Sequence, residues 1–291
     1  MAIPFNRDFD APYGVAEQVS PLIARVLAPN PGPFTFKGTG VYIVGAGREV
    51  AVIDPGPDIP EHIAALKRAL AGRRVTHILV THTHGDHSPA AAPLKAWSGA
   101  STYAFGPHGS GRDEGVKMEE GGDTAFVPDV RAKDGDVISG EGFSFECVFT
   151  PGHTSNHMCF ALREEKALFT GDHVMGWSTT VVVPPDGNMA DYLASLKKLI
   201  ARDDAVLWPT HGGPVREPPP FLQAYLEHRL MREAQILACV ADGLDTIPAM
   251  VARMYADVDK RLHPAAARSV EAHLIQLAAE GRLTRENGRY R

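Results

Sequence analysis

Residues 81–87 read Thr81-His82-Thr83-His84-Gly85-Asp86-His87, directly after the apolar run Ile78-Leu79-Val80. Three imidazoles and a carboxylate within six positions offer the neutral nitrogen and anionic oxygen donors that borderline divalent cations such as zinc prefer. At strand period His82 and His84 point to the same side, and a turn beginning near Gly85 aims Asp86 and His87 at a second point close by. Residues of the same ligand type recur at matching junctions. Phe143, Phe145, Cys147 and Phe149 alternate as a half-buried strand does and run into Thr150-Pro151-Gly152-His153. Ala167-Leu168-Phe169 runs into Thr170-Gly171-Asp172, and Ala205-Val206-Leu207-Trp208 into Pro209-Thr210-His211. Each is a short apolar strand that breaks at Gly or Pro with a metal-binding side chain at the junction. Carboxyl ends of neighbouring strands meet at one sheet edge, where open α/β architectures place their sites. The seven residues His82, His84, Asp86, His87, His153, Asp172 and His211 suit two metals rather than one.

The elements that must position these residues follow from pattern. Val41–Val44 and Val50–Ile53 read as paired strands joined through Gly45-Ala46-Gly47. Asp58 is placed to cap a helix running to Leu70, with Glu61 three residues on and Ile63, Leu66 and Leu70 as its apolar face. Residues 76–80 form a buried strand, residues 106–123 a Gly-rich loop of the kind that borders active sites, and Asp191–Ile200 a short helix. Glu217-Pro218-Pro219-Pro220 reads as a stiff extended spacer, dividing the chain into residues 1–217 and 221–291. Beyond it Leu222, Leu226, Leu230, Leu237 and Val240 can share the face of a long helix. Val251, Met254, Tyr255 and Val258 outline a second helix, and Val270, Leu274 and Leu277 a third that Gly281 stops. With a hairpin over Leu283–Arg291, this is the outline of a winged helix.

Placed together, the seven ligand residues resemble the full pattern of the metallo-β-lactamase fold superfamily. The resemblance implies an α+β fold, a four-layer αββα sandwich. It also implies that His82, His84 and His153 hold one metal, Asp86, His87 and His211 the other, and that Asp172 bridges them. The tail narrows the family. His228-Arg229 with Arg232-Glu233, Met254-Tyr255 and Leu262-His263-Pro264-Ala265-Ala266 resemble the C-terminal winged-helix domain of the β-lactamase-like protein 2 family. Asn30-Pro31-Gly32-Pro33-Phe34-Thr35, Gly38-Thr39, Thr150–Thr154 followed by His157-Met158, and Thr179-Thr180-Val181 are similar to its N-terminal half. His157 matches a family position and is expected at the substrate or behind the ligands, with Thr179 and Thr180 lining the pocket and His173 behind the ligands. Thr83 and Gly85 stand where bulkier residues are common, which predicts a wider mouth, and Gly40 replaces a polar side chain.

The function implied is that of a hydrolase with two zinc ions, the donor set also suiting manganese or iron. A hydroxide held between the metals would attack the acyl carbonyl of a thioester, lactone, ester or amide, β-lactams included, on a small molecule or an acyl carrier. Asp86 would serve both as ligand and as the catalytic proton carrier. Two other classes compete. Some β-lactamase-like protein 2 relatives cleave single-stranded RNA, and a winged helix by itself suggests a DNA-binding regulator.

Charge weighs against nucleic acid. Residues 221–291 carry 10 Lys/Arg against 9 Asp/Glu, leaving 19 against 26 for residues 1–220, so no basic groove is evident. The would-be reading helix, Pro264–Glu280, has Arg268 as its one cation beside Glu271 and Glu280, and is expected to pack on the catalytic domain or a partner subunit. A homodimer is compatible with the sequence. Cys147, Cys159 and Cys239 show no paired spacing and are expected as free buried thiols. With no basic n-region, no apolar h-region and no membrane span, the chain reads as cytoplasmic.

Overall fold

The computed structural model describes residues 3–109 and 121–291, so the middle of the expected loop over 106–123 lies outside the described residues. Strands β1 (Ala16–Gln18), β2 (Ile23–Leu27), β3 (Gly40–Val44), β4 (Glu49–Ile53), β5 (Arg74–Leu79), β6 (Ser101–Ala104) and β7 (Val130–Arg131) pair in that order as a seven-stranded sheet. The first four form an antiparallel meander. From β4 onward the pairing is parallel, with helices α1 (Pro60–Ala69) and α2 (Ala91–Ser98) as crossovers. The second sheet runs β12-β11-β10-β9-β8, from β8 (Val137–Gly140), β9 (Phe143–Phe149), β10 (Met158–Leu162), β11 (Ala167–Gly171) and β12 (Val206–Pro209). It is antiparallel except for β11 with β12, which helix α3 (Met189–Ile200) connects.

Side-chain alternation builds four layers. Tyr42, Val44 and Ile53 of one sheet meet Phe145, Cys147, Phe160 and Phe169 of the other in the inter-sheet core. The opposite face of the first sheet (Val41, Ile43, Val52, Ile78) buries Leu66, Leu70 and Leu94 of the α1–α2 region. The outer face of the second (Val148, Cys159, Leu168, Leu207) buries Tyr192, Leu196 and Leu199 of α3. This is the expected αββα sandwich.

Several expectations are corrected. Asp58 does not cap α1: the N-cap is Ile59 with no side-chain bond, and Pro60 occupies the first turn with its φ already helical. Nor are Pro218–Pro220 a spacer. They open α4 (Pro218–Ala241), whose first N–H groups lack partners in any helix, so prolines cost nothing there. Over 24 residues, about 36 Å, α4 packs Phe221, Leu222 and Tyr225 on the sandwich and Ile236 and Cys239 into the C-terminal core. Its buried stripe runs Leu222, Tyr225, Arg229, Glu233, Ile236, whereas Leu230 is 45% exposed. Apolar periodicity chose Leu230 because it cannot anticipate buried charges.

α5 (Ile247–Met254) ends at Met254, so Tyr255 and Val258 lie beyond it. α6 (His263–Ala279) presents Val270, Leu274 and Leu277 to the C-terminal core as expected. Its other side turns to the sandwich: Ala272 joins the α3 cluster, and Arg268 donates to the Pro184 carbonyl. The hairpin β13 (Arg285–Glu286) and β14 (Arg289–Tyr290) turns through Asn287 and Gly288, both at positive φ. All three cysteines are free and buried. Among the described residues no helix is long and apolar enough to cross a membrane.

The inter-sheet core should dominate stability. Phe160→Ala is expected to cost about 3–5 kcal/mol and Leu230→Ala under about 0.5 kcal/mol in urea unfolding. Equal effects would contradict this assignment of the core.

Candidate metal centre

Every ligand-type residue stands just past the carboxyl end of a strand: 82–87 after β5, His153 after β9, Asp172 after β11 and His211 after β12. The two sheets are joined at this edge by Met158 N–H to the Thr81 carbonyl (2.8 Å) and Gly40 N–H to the Thr210 carbonyl (2.8 Å). As a result, residues up to 129 positions apart in sequence converge. Three groups of donor atoms lie within 4.8 Å of one another: His82, His84 and His153; His82, His87 and Asp172; Asp86, His87 and His211. Asp172 faces both sides, with Oδ2 3.8 Å from His153 Nε2 and Oδ1 3.4 Å from His211 Nε2 and 3.6 Å from His87 Nε2.

The outer nitrogens decide what the inner ones offer. His153 Nδ1 lies 2.6 Å from the Val181 carbonyl and His211 Nδ1 3.1 Å from the Gly38 carbonyl. His87 Nδ1 lies 2.9 Å from Asp54 Oδ2. His82 Nδ1 meets Thr81 Oγ1, whose own proton goes to Asp54. Each of these four Nδ1 atoms therefore donates outward, and the neutral ring turns a lone pair on Nε2 inward. His82 Nε2 and His153 Nε2 then sit 2.9 and 3.1 Å from His84 Nδ1. One proton on His84 Nδ1 can bond only one of the two well, so three ring nitrogens crowd about a single proton, where a cation would serve all three. Buried His87 Nε2 and Asp172 Oδ1 likewise find no hydrogen-bond partner among the described residues. The donor set and its orphaned atoms fit divalent metal ions.

Electrostatics divide the cluster. Burial, reinforced by the neighbouring imidazoles, holds His82 and His84 well below the usual histidine range. Burial also opposes charge on His87, but Asp86, Asp172 and Asp54 outweigh it and raise that ring well above 6.5. In the same way burial of His211 is overcome by Asp172 and Asp86, which lift it to about 10. Burial would raise Asp86, yet His87 and His211 hold it down at about 2. Without metal, the Asp86–His87–His211 side thus carries imidazolium protons where a metal would bring its charge.

Asp54 is the support that sequence reading passed over. It follows β4 with φ of 46°, a left-handed conformation unusual for a residue with a side chain. From there Oδ1 accepts the Thr81 N–H, while Oδ2 accepts the Thr81 and Thr210 hydroxyls and faces His87. The available signal was its place after the apolar run Val50–Ile53, the same junction that marked the ligands. Thr39 Oγ1, held by Asn30, reaches Asp86 Oδ2 at 3.2 Å.

Of the two places expected for His157, the structure shows the one behind the ligands and not the one at the substrate. His157 is fully buried beneath the ligands, its ring centroid 5.2 Å from that of His82 and its Nδ1 2.9 Å from Thr150 Oγ1. Gly171, at φ 50°, packs so closely that an added Cβ would lie 2.6 Å from His157 Nε2. His173 is buried behind the ligands against Tyr192. Thr83 does not widen the mouth, because it is buried and bonded to Asn156. Thr179 lines the cavity, whereas the Thr180 hydroxyl turns away to the Asp172 and His173 carbonyls.

Above the cluster opens a small cavity of about 50 Å³. Asp86, Asp172, His84, His153 and His211 form its base, and Pro33, Phe34, Met175, Trp177 and Val181 supply most of the wall. Trp177 is held flat against Phe36, ring centroids 4.8 Å apart. No Lys or Arg is among the described lining residues.

Sandwich, converging donors and tail together define a class. The chain belongs to the metallo-β-lactamase superfamily and is a hydrolase of that fold: residues 35–211 match the family model for the superfamily, and residues 246–290 that for the beta-lactamase associated winged helix domain. Within the class it is similar to a beta-lactamase-like protein 2 homolog of Caenorhabditis elegans, 30% identical over 91% of this chain and 87% of that one. It is 35% identical to an atrochrysone carboxyl ACP thioesterase of Paecilomyces divaricatus over 79% of this chain and 68% of that one. A beta-lactamase domain protein from Burkholderia ambifaria has the same fold, with a TM-score of 0.80 at 21% identity over 97% of this chain and 95% of that one.

The raised His87 and His211 predict proton release. A metal needs their lone pairs, so zinc binding to metal-free protein at pH 7 should expel ~2 protons, read by calorimetry in buffers of different ionisation enthalpy. Affinity should rise with pH until His211 deprotonates near about 10. Binding with no proton release would contradict this electrostatic account.

Proposed function

We propose that the protein hydrolyses an acyl carbonyl compound, foremost a thioester on a small molecule or acyl carrier, at a centre of two zinc ions. The observation that carries this reading is an apolar, aromatic cavity without described cations opening directly onto the donor cluster. It suits an uncharged acyl chain or ring. A phosphodiester backbone calls for basic contacts along its path. The thioesterase among the relatives supports the same choice.

His82, His84 and His153 would hold one cation, Asp86, His87 and His211 the other, with one oxygen of Asp172 toward each. Bound metal supplies Lewis acidity and lowers the pKa of water from about 15.7 to about 7, making a nucleophile available at neutral pH. The protein's own groups do the rest. Phe34, Met175 and Trp177 would exclude water and set the acyl group over the base of the cavity. Oδ2 of Asp86 accepts from Thr39 and faces the ligand nitrogens of His211 and His87, so Oδ1 would be the oxygen that carries the proton. It would take that proton from the attacking water as the carbon–oxygen bond forms, and deliver it to the departing sulfur or oxygen as the acyl bond breaks.

Metal-loaded protein assayed against thioesters, lactones, β-lactams and single-stranded RNA tests the substrate class. Acyl substrates should exceed RNA in kcat/KM by at least about a thousandfold, ~4 kcal/mol of barrier. The reverse order would overturn the proposal. Asp86→Asn, compared at equal metal content, should lower kcat by about 10²–10⁴-fold. Undiminished turnover would leave Asp86 a ligand only.

A further inference from the structure

Helix α4 buries a guanidinium beneath the site. Arg229 is 3% exposed, and its described partners are uncharged: the Thr180 carbonyl, to which it donates, and the face of Tyr192 at 4.9 Å. Burying a cation whose described partners are all uncharged is costly. What Arg229 holds is the segment from Asp172 to Val181. Within that segment the Thr180 hydroxyl donates to the carbonyls of Asp172 (2.8 Å) and His173 (3.0 Å). The next carbonyl, that of Val181, accepts from His153 Nδ1. Tyr225, one turn earlier on α4, bonds Met175 and Ser178, and Tyr192 of α3 bonds the His173 carbonyl.

We infer that Arg229 is a positioning residue for the metal centre, fixing through Thr180 and Val181 the ring of His153 and the carboxylate of Asp172. The C-terminal helices are thereby part of the catalytic architecture rather than an appendage to it. His153 can present Nε2 only while its Nδ1 has the Val181 carbonyl to donate to, and that carbonyl belongs to the residue after the one Arg229 grips. Asp172 shares the clamp, because the same Thr180 hydroxyl ties down its backbone. Outer hydrogen-bond partners of metal ligands typically govern affinity by about 10–100-fold. The inference rests on the two-metal reading proposed above.

The test is metal affinity measured by competition with a chelator, beside melting temperature and kcat, in wild type, Arg229→Met, Arg229→Lys and Arg232→Met. Arg232 lies on the same helix with its guanidinium over the Tyr255 ring at 4.5 Å, so its loss should lower the melting temperature and leave both metals bound as before. Arg229→Met should weaken metal binding by about 10–100-fold, most at the equivalent that His153 would hold, with a matching loss of kcat that saturating metal largely restores. Arg229→Lys should show a smaller defect of the same kind, and decides the matter if the Met variant does not fold. A lowered melting temperature with both equivalents bound at wild-type affinity would reduce Arg229 to a structural role and overturn the inference. A wild-type protein that binds no metal would instead sink the two-metal reading itself.

Discussion

Ring nitrogens and carboxylates crowded into a closed space, with few protons to share among them, are the constraint on which this structure depends. Five imidazoles and two carboxylates converge at one sheet edge, nearly all of them buried, and four of the rings have their outer nitrogens committed to acceptors. Such a cluster repels itself unless positive charge enters. In the absence of metal the protein meets this demand in part by holding protons on His87 and His211. The same arrangement that crowds these donors together suits it to divalent cations.

The fold holds that crowding by stitching its two sheets together where the repulsion is greatest. Asp54 takes bonds from Thr81 of the first sheet's ligand loop and Thr210 of the second, and orients His87 with the same oxygen. A single carboxylate thus couples sheet packing to ligand orientation, which explains why the backbone tolerates a left-handed aspartate at the end of β4. On the opposite side Arg229 and Tyr225 fasten the segment carrying Asp172. A winged-helix outline would by itself suggest nucleic acid, but α6 spends its one arginine on the Pro184 carbonyl and on Glu271, against the sandwich.

The donor set was legible because ligand chemistry is local: His and Asp next to Gly or Pro, at the ends of apolar runs, are readable without knowing what lies across the site. The αββα layering and the three C-terminal helices were legible for a related reason, since alternation and helical period mark buried faces. The reading failed where partners are remote or charged. His157 resembled a substrate contact by its spacing from His153, but only the packing of Gly171 and His82 shows it sealed below the ligands. Pro218–Pro220 looked like a spacer, because a proline run does not reveal that it opens a helix.

By itself, then, the sequence determined which side chains can bind metal, the order of strands that carry them, and the division into a sandwich and a helical tail. Tertiary structure alone decided which outer nitrogens of the histidines meet acceptors, which carboxylate braces the cluster, and that the tail bonds the segment following Asp172. The physical reason is distance along the chain. Asp54 meets its partners 27, 33 and 156 residues away, and Arg229 lies 49 residues from the carbonyl it holds. Directional hydrogen bonds between such remote segments leave no periodic trace in the sequence and come into being only when the sheets close.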